Sequence, residues 1–287
     1  MAKQSQYKKY TRTKAGNFFY FSFLVIAGIF SALPLVYCVC TAFKPLDELL
    51  VFPPRFFVHR PTVENFVLLP SLIDKLRVPL SRYIFNSVFI SVATTFLHLI
   101  VASMAAFTLS KSNIKLKGLI FTLVQLSLLY NAYTLAVPQY LIFSKISIID
   151  TFFVYILPAI PSATGVFLIK QYMDSSVPNT LLEAARIDGA SVFRMYISVV
   201  VPIIKPALMT LLLLSFQSLW SVIPSGTIFS EELKTLPYVL SSITAGGIAR
   251  AGSSMAATVL MMIPPIAVFF ISQSNVMETM SSAGMKG

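Results

Sequence analysis

The sequence predicts an all-α membrane protein with six transmembrane helices. Three observations carry that expectation: a lipid-solvated composition, six apolar runs of bilayer length, and basic residues gathered on one side of those runs. Of the 287 residues, 56% are hydrophobic and only 11% are charged, and the mean hydropathy is +0.78. Soluble domains carry roughly a quarter charged residues. Lipid offers no partner to a free backbone amide, so spans are either helices or a closed barrel, and the apolar runs here far exceed the roughly ten alternating residues of a barrel strand. A net charge of +11 does not mark a nucleic-acid binder, because the basic residues flank apolar segments and form no soluble basic face.

The six runs are Phe18 to Phe43, Tyr83 to Ser110, Leu119 to Phe143, Thr151 to Met173, Val199 to Ile223 and Ser253 to Ser272, each near the roughly 20 apolar residues that cross a bilayer. The first follows a basic segment as a signal peptide would, but it is too long and no cleavage site of small residues follows it, so it reads as a retained span. It holds both cysteines, Cys38 and Cys40, which point to different helix faces and do not suit a bridge or a metal. A cytoplasmic N-terminus puts 13 of the 22 basic residues on the inner side against 4 of the 11 acidic ones, the bias expected for a plasma-membrane protein in that orientation. Residues 1–17 and 276–287 are then cytoplasmic tails of an 18–275 membrane domain. Its segments 44–82 and 224–252 are external, and 174–198 is internal. Pro45, Pro53, Pro54, Pro61 and Pro70 predict short ordered pieces in the first external segment.

The internal segment from Ser176 to Pro202 predicts two short helices meeting at a bend. Pro178 and Asn179 suit a helix start, Leu181 to Arg186 are strong helix formers, and Gly189 can take the left-handed conformation that ends a helix. Ser191 can cap a second helix running toward the fifth span. Leu181, Leu182 and Ala185 share one side and Glu183 and Arg186 another, an amphipathic knob facing the cytoplasm. An interfacial helix would read the same way.

The wording of this loop narrows the choice. Glu183-Ala184-Ala185, three residues, Gly189, then nine residues before Val199-x-Val201-Pro202 resembles the EAA motif of ABC importer permeases, with each Val one methylene shorter than the usual Ile and Leu. Asp188-Gly189-Ala190 strengthens the likeness. Thr41-Ala-Phe43-Lys44-Pro45, Thr62-Val-Glu64-Asn65-Phe66, Phe270-Ile-Ser-Gln273 and the ending Gly284-Met-Lys286-Gly287 resemble the carbohydrate-uptake branch, in particular the second six-span membrane subunit of the maltose type. The resemblance implies a type I importer fold and a sugar substrate, with an oligosaccharide expected. It also implies a second permease subunit, two ATP-binding subunits and an external solute-binding protein. Glu183 would contact an ATP-binding subunit within the stretch Glu183, Ala184, Ala185, Asp188 and Gly189, and Gly189 would permit the bend. The chain has no G-x-x-x-x-G-K-[ST] loop, so ATP and Mg would be bound by the partner subunits.

For a substrate path, Tyr130, Asn131 and Tyr133 with Gln125, and Gln217 with Trp220, offer aromatic faces and amides suited to sugars. Their alternative role is to join helices and anchor at the outer interface. His98, alone among spans without acidic residues, suits a helix-to-helix hydrogen bond better than a proton relay. Pro158, Pro161, Pro264 and Pro265 are expected to kink the fourth and sixth spans. The rival reading is a gradient-driven secondary transporter, expected to show internal repeats and mid-membrane charges; the sequence shows neither.

Overall fold

In the computed structural model, residues 14–73, 78–130, 132–223, 226–245, 247 and 250–284 are described. Among them the chain is helical, as backbone solvated by lipid must be. The first long helix, α1 (Lys14–Ala42), leads to the short α2 (Leu46–Leu49) and α3 (Glu64–Ile73). Next come α4 (Leu80–Lys111), α5 (Lys117–Ser127), α6 (Ala132–Lys145), α7 (Phe153–Ala159) and α8 (Ala163–Ser176). Then α9 (Asn179–Ile187), α10 (Val192–Met195), a π-helical turn over Tyr196–Val200, α11 (Val201–Ile203) and α12 (Lys205–Trp220) follow. A 3-10 turn at Glu231–Leu233, α13 (Leu236–Thr244) and α14 (Ala251–Gly284) complete the order.

Helices α4 and α12 form the centre. They pack on each other and on α8, α14 lies against α12, α1 and α3 lie against α14, and α5 lies against α8. Where α4 meets α8 the side chains are small, with Ala102, Ala106 and Gly165 buried, which lets the backbones approach.

Among the described residues, four helical stretches have the length and apolarity of spans: Gly16–Ala42, Leu80–Lys111, Phe153–Ser176 and Ala251–Val276. The fifth predicted run becomes a span only if Val192–Ile203 and Lys205–Trp220, bent by 78°, count together. The third run is two helices, α5 and α6, each too short by itself. The amides of Leu128, Leu129 and Tyr130 turn back to carbonyls three residues earlier, at 3.2, 3.0 and 3.3 Å, so the helix tightens and stops before a second one begins.

Prolines explain the breaks, and side chains of neighbouring helices bond carbonyls at the two proline sites. Pro158 and Pro161 cannot donate to the carbonyls four residues earlier, and the fourth span breaks between α7 and α8. At that break the carbonyl of Ile160 accepts from Nδ1 of His98 at 2.8 Å, the helix-to-helix bond expected of that residue. By contrast, α14 runs on as one helix through Pro264 and Pro265. Pro265 leaves the carbonyl of Met261 without its helical donor, and the indole N–H of Trp220 supplies one at 3.0 Å.

The segments read as external come together at one end of the bundle. Asp150 accepts from the amides of Phe229 and Ser230 at 2.9 and 2.8 Å and from the Ser230 hydroxyl. The Ser230 hydroxyl first, then its amide, holds the Asp150 carboxyl below the usual carboxylate range. Tyr83 donates to Glu231 at 2.9 Å, and Asn86 donates to the carbonyls of Glu232 and Lys234 at 2.7 and 2.9 Å. In the first external segment Asn65 donates to the carbonyls of Ala42 and Lys44 at 2.9 and 2.7 Å. The short ordered pieces predicted there are α2 and α3.

The closest helix contact yields a test. A methyl group added at Gly165 would stand 2.3 Å from Nε2 of His98 and 3.3 Å from Cβ of Ala102. Gly165→Ala is expected to destabilise the purified protein by about 1–3 kcal/mol through overpacking. The double variant Gly165→Ala/His98→Ala should lose less than the sum of the singles in thermal unfolding. Strict additivity would show that the two groups do not touch.

Candidate functional site

The loop between the fourth and fifth predicted spans is built as its local chemistry dictates. Pro178, extended at φ −65° and ψ 142°, opens α9, where its missing N–H costs nothing. Lys111, at the end of α4, donates to the carbonyl of Val177 at 2.7 Å and to Asn179 at 3.3 Å, fixing the entry to α9 against the central helix.

The exit is a Schellman turn. The amide of Gly189 reaches the carbonyl of Arg186 at 3.1 Å and that of Ala190 reaches Ala185 at 2.9 Å, with Gly189 left-handed at φ 77°. This pair of bonds satisfies the last carbonyls of α9 and reverses the chain. Ser191 then accepts from the amide of Arg194 at 3.3 Å, so the predicted cap of the second helix is present. Beyond it, Pro202 cannot donate to Ser198, the turn widens to π geometry, and Val201 donates instead to Tyr196. Pro202 and Pro206 flank Ile204, where ψ of 5° marks the bend. The second arm therefore joins the fifth span through a 78° bend.

Burial divides the knob in two. Leu182 is buried with Met173, Met195, Tyr196 and Val200 in the core shared by α4, α8 and α12, and Ala185 packs against its edge. The Tyr196 hydroxyl bonds Ser103 of α4 at 2.7 Å. Glu183, Ala184, Arg186, Asp188 and Gly189 are exposed. Beside them Ile187 is 87% exposed, and Val192 and Phe193 are each 62% exposed. Sequence reasoning passed over these three. The available signal was an apolar residue just before Asp188-Gly189, off the inward side of Leu182. Polar groups ringing a few exposed apolar side chains on a rigid tip suit docking to a protein partner.

The candidate path residues are not gathered into one site. Tyr130 is 65% exposed on the α5 to α6 connection. Gln125 and Gln217 are exposed, whereas Trp220, one turn beyond Gln217, is buried and stacked on Phe216 at 5.8 Å. Asn131 and the side chain of Tyr133 lie outside the described residues, as do Gly246 and the tails 1–13 and 285–287.

The site is thus an anchored knob at one end of a bundle of membrane-length helices. The model of the family described as binding-protein-dependent transport system inner membrane component matches residues 98–282, and the chain belongs to that family. It is similar to a sulfoquinovosyl glycerol transport system permease protein of Agrobacterium fabrum, 28% identical over 93% of this chain and 92% of that one. It also resembles an arabinooligosaccharides transport system permease protein of Halalkalibacterium halodurans, 26% identical over 93% and 94% of the two chains. An sn-glycerol-3-phosphate transport system permease protein of Yersinia enterocolitica is 30% identical over 68% and 70%. Among solved structures, a bacterial ABC transporter involved in the import of the acidic polysaccharide alginate shares the fold, with a TM-score of 0.76 and 22% identity over 92% of this chain and 98% of that one. The chain is a multi-pass permease subunit of a binding-protein-dependent ABC importer.

Leu182 is the side chain that fastens α9 to the bundle. Leu182→Ala is expected to cost about 2–5 kcal/mol locally and to raise hydrogen exchange of the α9 amides. Leu181→Ala, on a side chain 45% exposed, should leave that exchange unchanged. Equal exchange in the two variants would contradict the anchoring role.

Proposed function

We propose that this chain imports a sugar, an oligosaccharide by preference, as the second of two unlike permease subunits. Its knob from Glu183 to Gly189 would seat in a cleft of an ATP-hydrolysing subunit on the cytoplasmic face. The carrying observation is the two-sided knob: Leu182 in the core, Glu183, Arg186, Ile187 and Asp188 outward, and the Gly189 turn between two arms. A helix seated in a moving cleft travels with it as a body, and the helices fastened to it follow. Tyr196 and Lys111 would pass that motion to α4, and the second arm would pass it to α12.

The remaining assignments rest on the same reading. Two ATP-binding subunits would hold ATP and Mg, and an external binding protein would deliver the solute. Support for cytoplasmic termini comes from the basic bias of the sequence together with the grouping of segments: 82–87, 150 and 227–236 join at one end, and 110–111 joins 174–179 at the other. A sugar is supported by the named substrates of the relatives, among them arabinooligosaccharides and lactose.

Gly189 supplies the test. No atom lies within 4 Å of a Cβ built there, so a substitution meets only the backbone cost of left-handed geometry, roughly 1–2 kcal/mol for an ordinary residue and less for Asn. In vesicles holding the complete importer, Gly189→Val is expected to assemble yet lose most ATP-coupled uptake, with Gly189→Asn retaining it. Normal coupled uptake by Gly189→Val would refute the lever.

A further inference from the structure

A cavity of about 390 Å³ opens at the break in the fourth span, between α4, the α7 to α8 junction and α12. It falls in the size range of small-molecule sites, about 300–1,000 Å³. Its polar lining is His98, Ser162, Thr164, Ser215 and Ser218. Ser162 stands at the start of α8 without capping it. Among the described residues none of these four hydroxyls has a hydrogen-bond partner within the chain.

The wall behind the cavity is underbonded too. His98 is only 2% exposed, and with Nδ1–H given to Ile160, its Nε2 has no partner. Outward along the same side of α4, Thr95, Thr94 and Ser91 are buried with unpartnered hydroxyl oxygens. Four unmet polar groups in succession are rare in a folded interior and require a reason. A polar cavity facing hydrocarbon would be costly. Contact with a hydroxylated solute or its water accounts for the unpaired hydroxyls that line the cavity.

We infer that this cavity is a station on the translocation path for an uncharged, polyhydroxylated solute, with Ser162, Thr164, Ser215 and Ser218 exchanging hydrogen bonds with its hydroxyls. This deepens the sugar-importer reading and rests on it. The rest of the lining is Ala159 and three leucines, so the wall carries no formal charge. The dipole at the start of α8 is worth less than the desolvation of a full anionic charge. The station therefore favours neutral sugars over phosphorylated, sulfonated or uronate solutes.

The test uses the assembled importer in lipid vesicles, in a Cys38→Ser/Cys40→Ser background, carrying Thr164→Cys. A neutral glucosyl methanethiosulfonate and the anionic sulfonatoethyl reagent are compared, each rate divided by that with a free thiol. The neutral reagent is expected to react at least about tenfold faster, the worth of one or two hydrogen bonds plus the charge penalty. Adding Ser215→Ala/Ser218→Ala should cut that preference severalfold, and Phe229→Cys, 63% exposed in the segment read as external, should show none. Equal rates, a preference for the anion, or a preference indifferent to the two serines would overturn the station. Failure of an ATP-binding subunit to copurify would instead sink the importer reading, and labelling of the chain alone would still decide the cavity.

Discussion

Every break in a membrane helix frees backbone groups that lipid cannot solvate, each at a cost of several kcal/mol. Much of this architecture follows from how those groups are met. Prolines release the carbonyl of Met261 and break the helix at Ile160. One side chain from a neighbouring helix answers each, Trp220 in the first case and His98 in the second. At the C-terminal end of α8, Lys111 does the same for Val177. These bonds tie α4 to α8 and α12 to α14 at the points where the chain must deviate, so the irregularities also help hold the bundle together.

The loop between the fourth and fifth predicted spans extends that logic. Its Schellman turn and the Ser191 cap satisfy the loop's own backbone, which leaves the outer surface free to bind. Leu182 and Tyr196 commit the inner surface to the core. A knob so built is stiff within itself and coupled to two central helices. The bend at Ile204 sets the angle at which the second arm meets α12.

Much of this was legible in the sequence because lipid-spanning helices and helix caps have strong local signatures. The first, second and sixth runs appear as single helices within a few residues of their predicted ends, with the sixth continuing beyond it. The Gly189 turn and the Ser191 cap stand where residue chemistry places them. The division of the third run into α5 and α6 was not legible, since hydropathy reports composition and not the three-residue tightening at 128–130. Trp220 was ambiguous for a similar reason: an indole suits a sugar path or a core, and only the carbonyl freed by Pro265, 45 residues later in the chain, decides for the core. Ile187 and Phe193 were missed because helical periodicity assigns apolar residues to an interior, whereas a docking surface turns them outward.

The account centres on the exposed tip of α9 as the place where ATP-driven motion enters the permease. Its most direct test is a photo-crosslinking residue at Ile187 in native membranes, with one at Leu141 of α6, 63% exposed, as the comparison. The account predicts covalent capture of an ATP-binding subunit from Ile187 and none from Leu141. Capture that is absent at Ile187, or equal at the two positions, would contradict it.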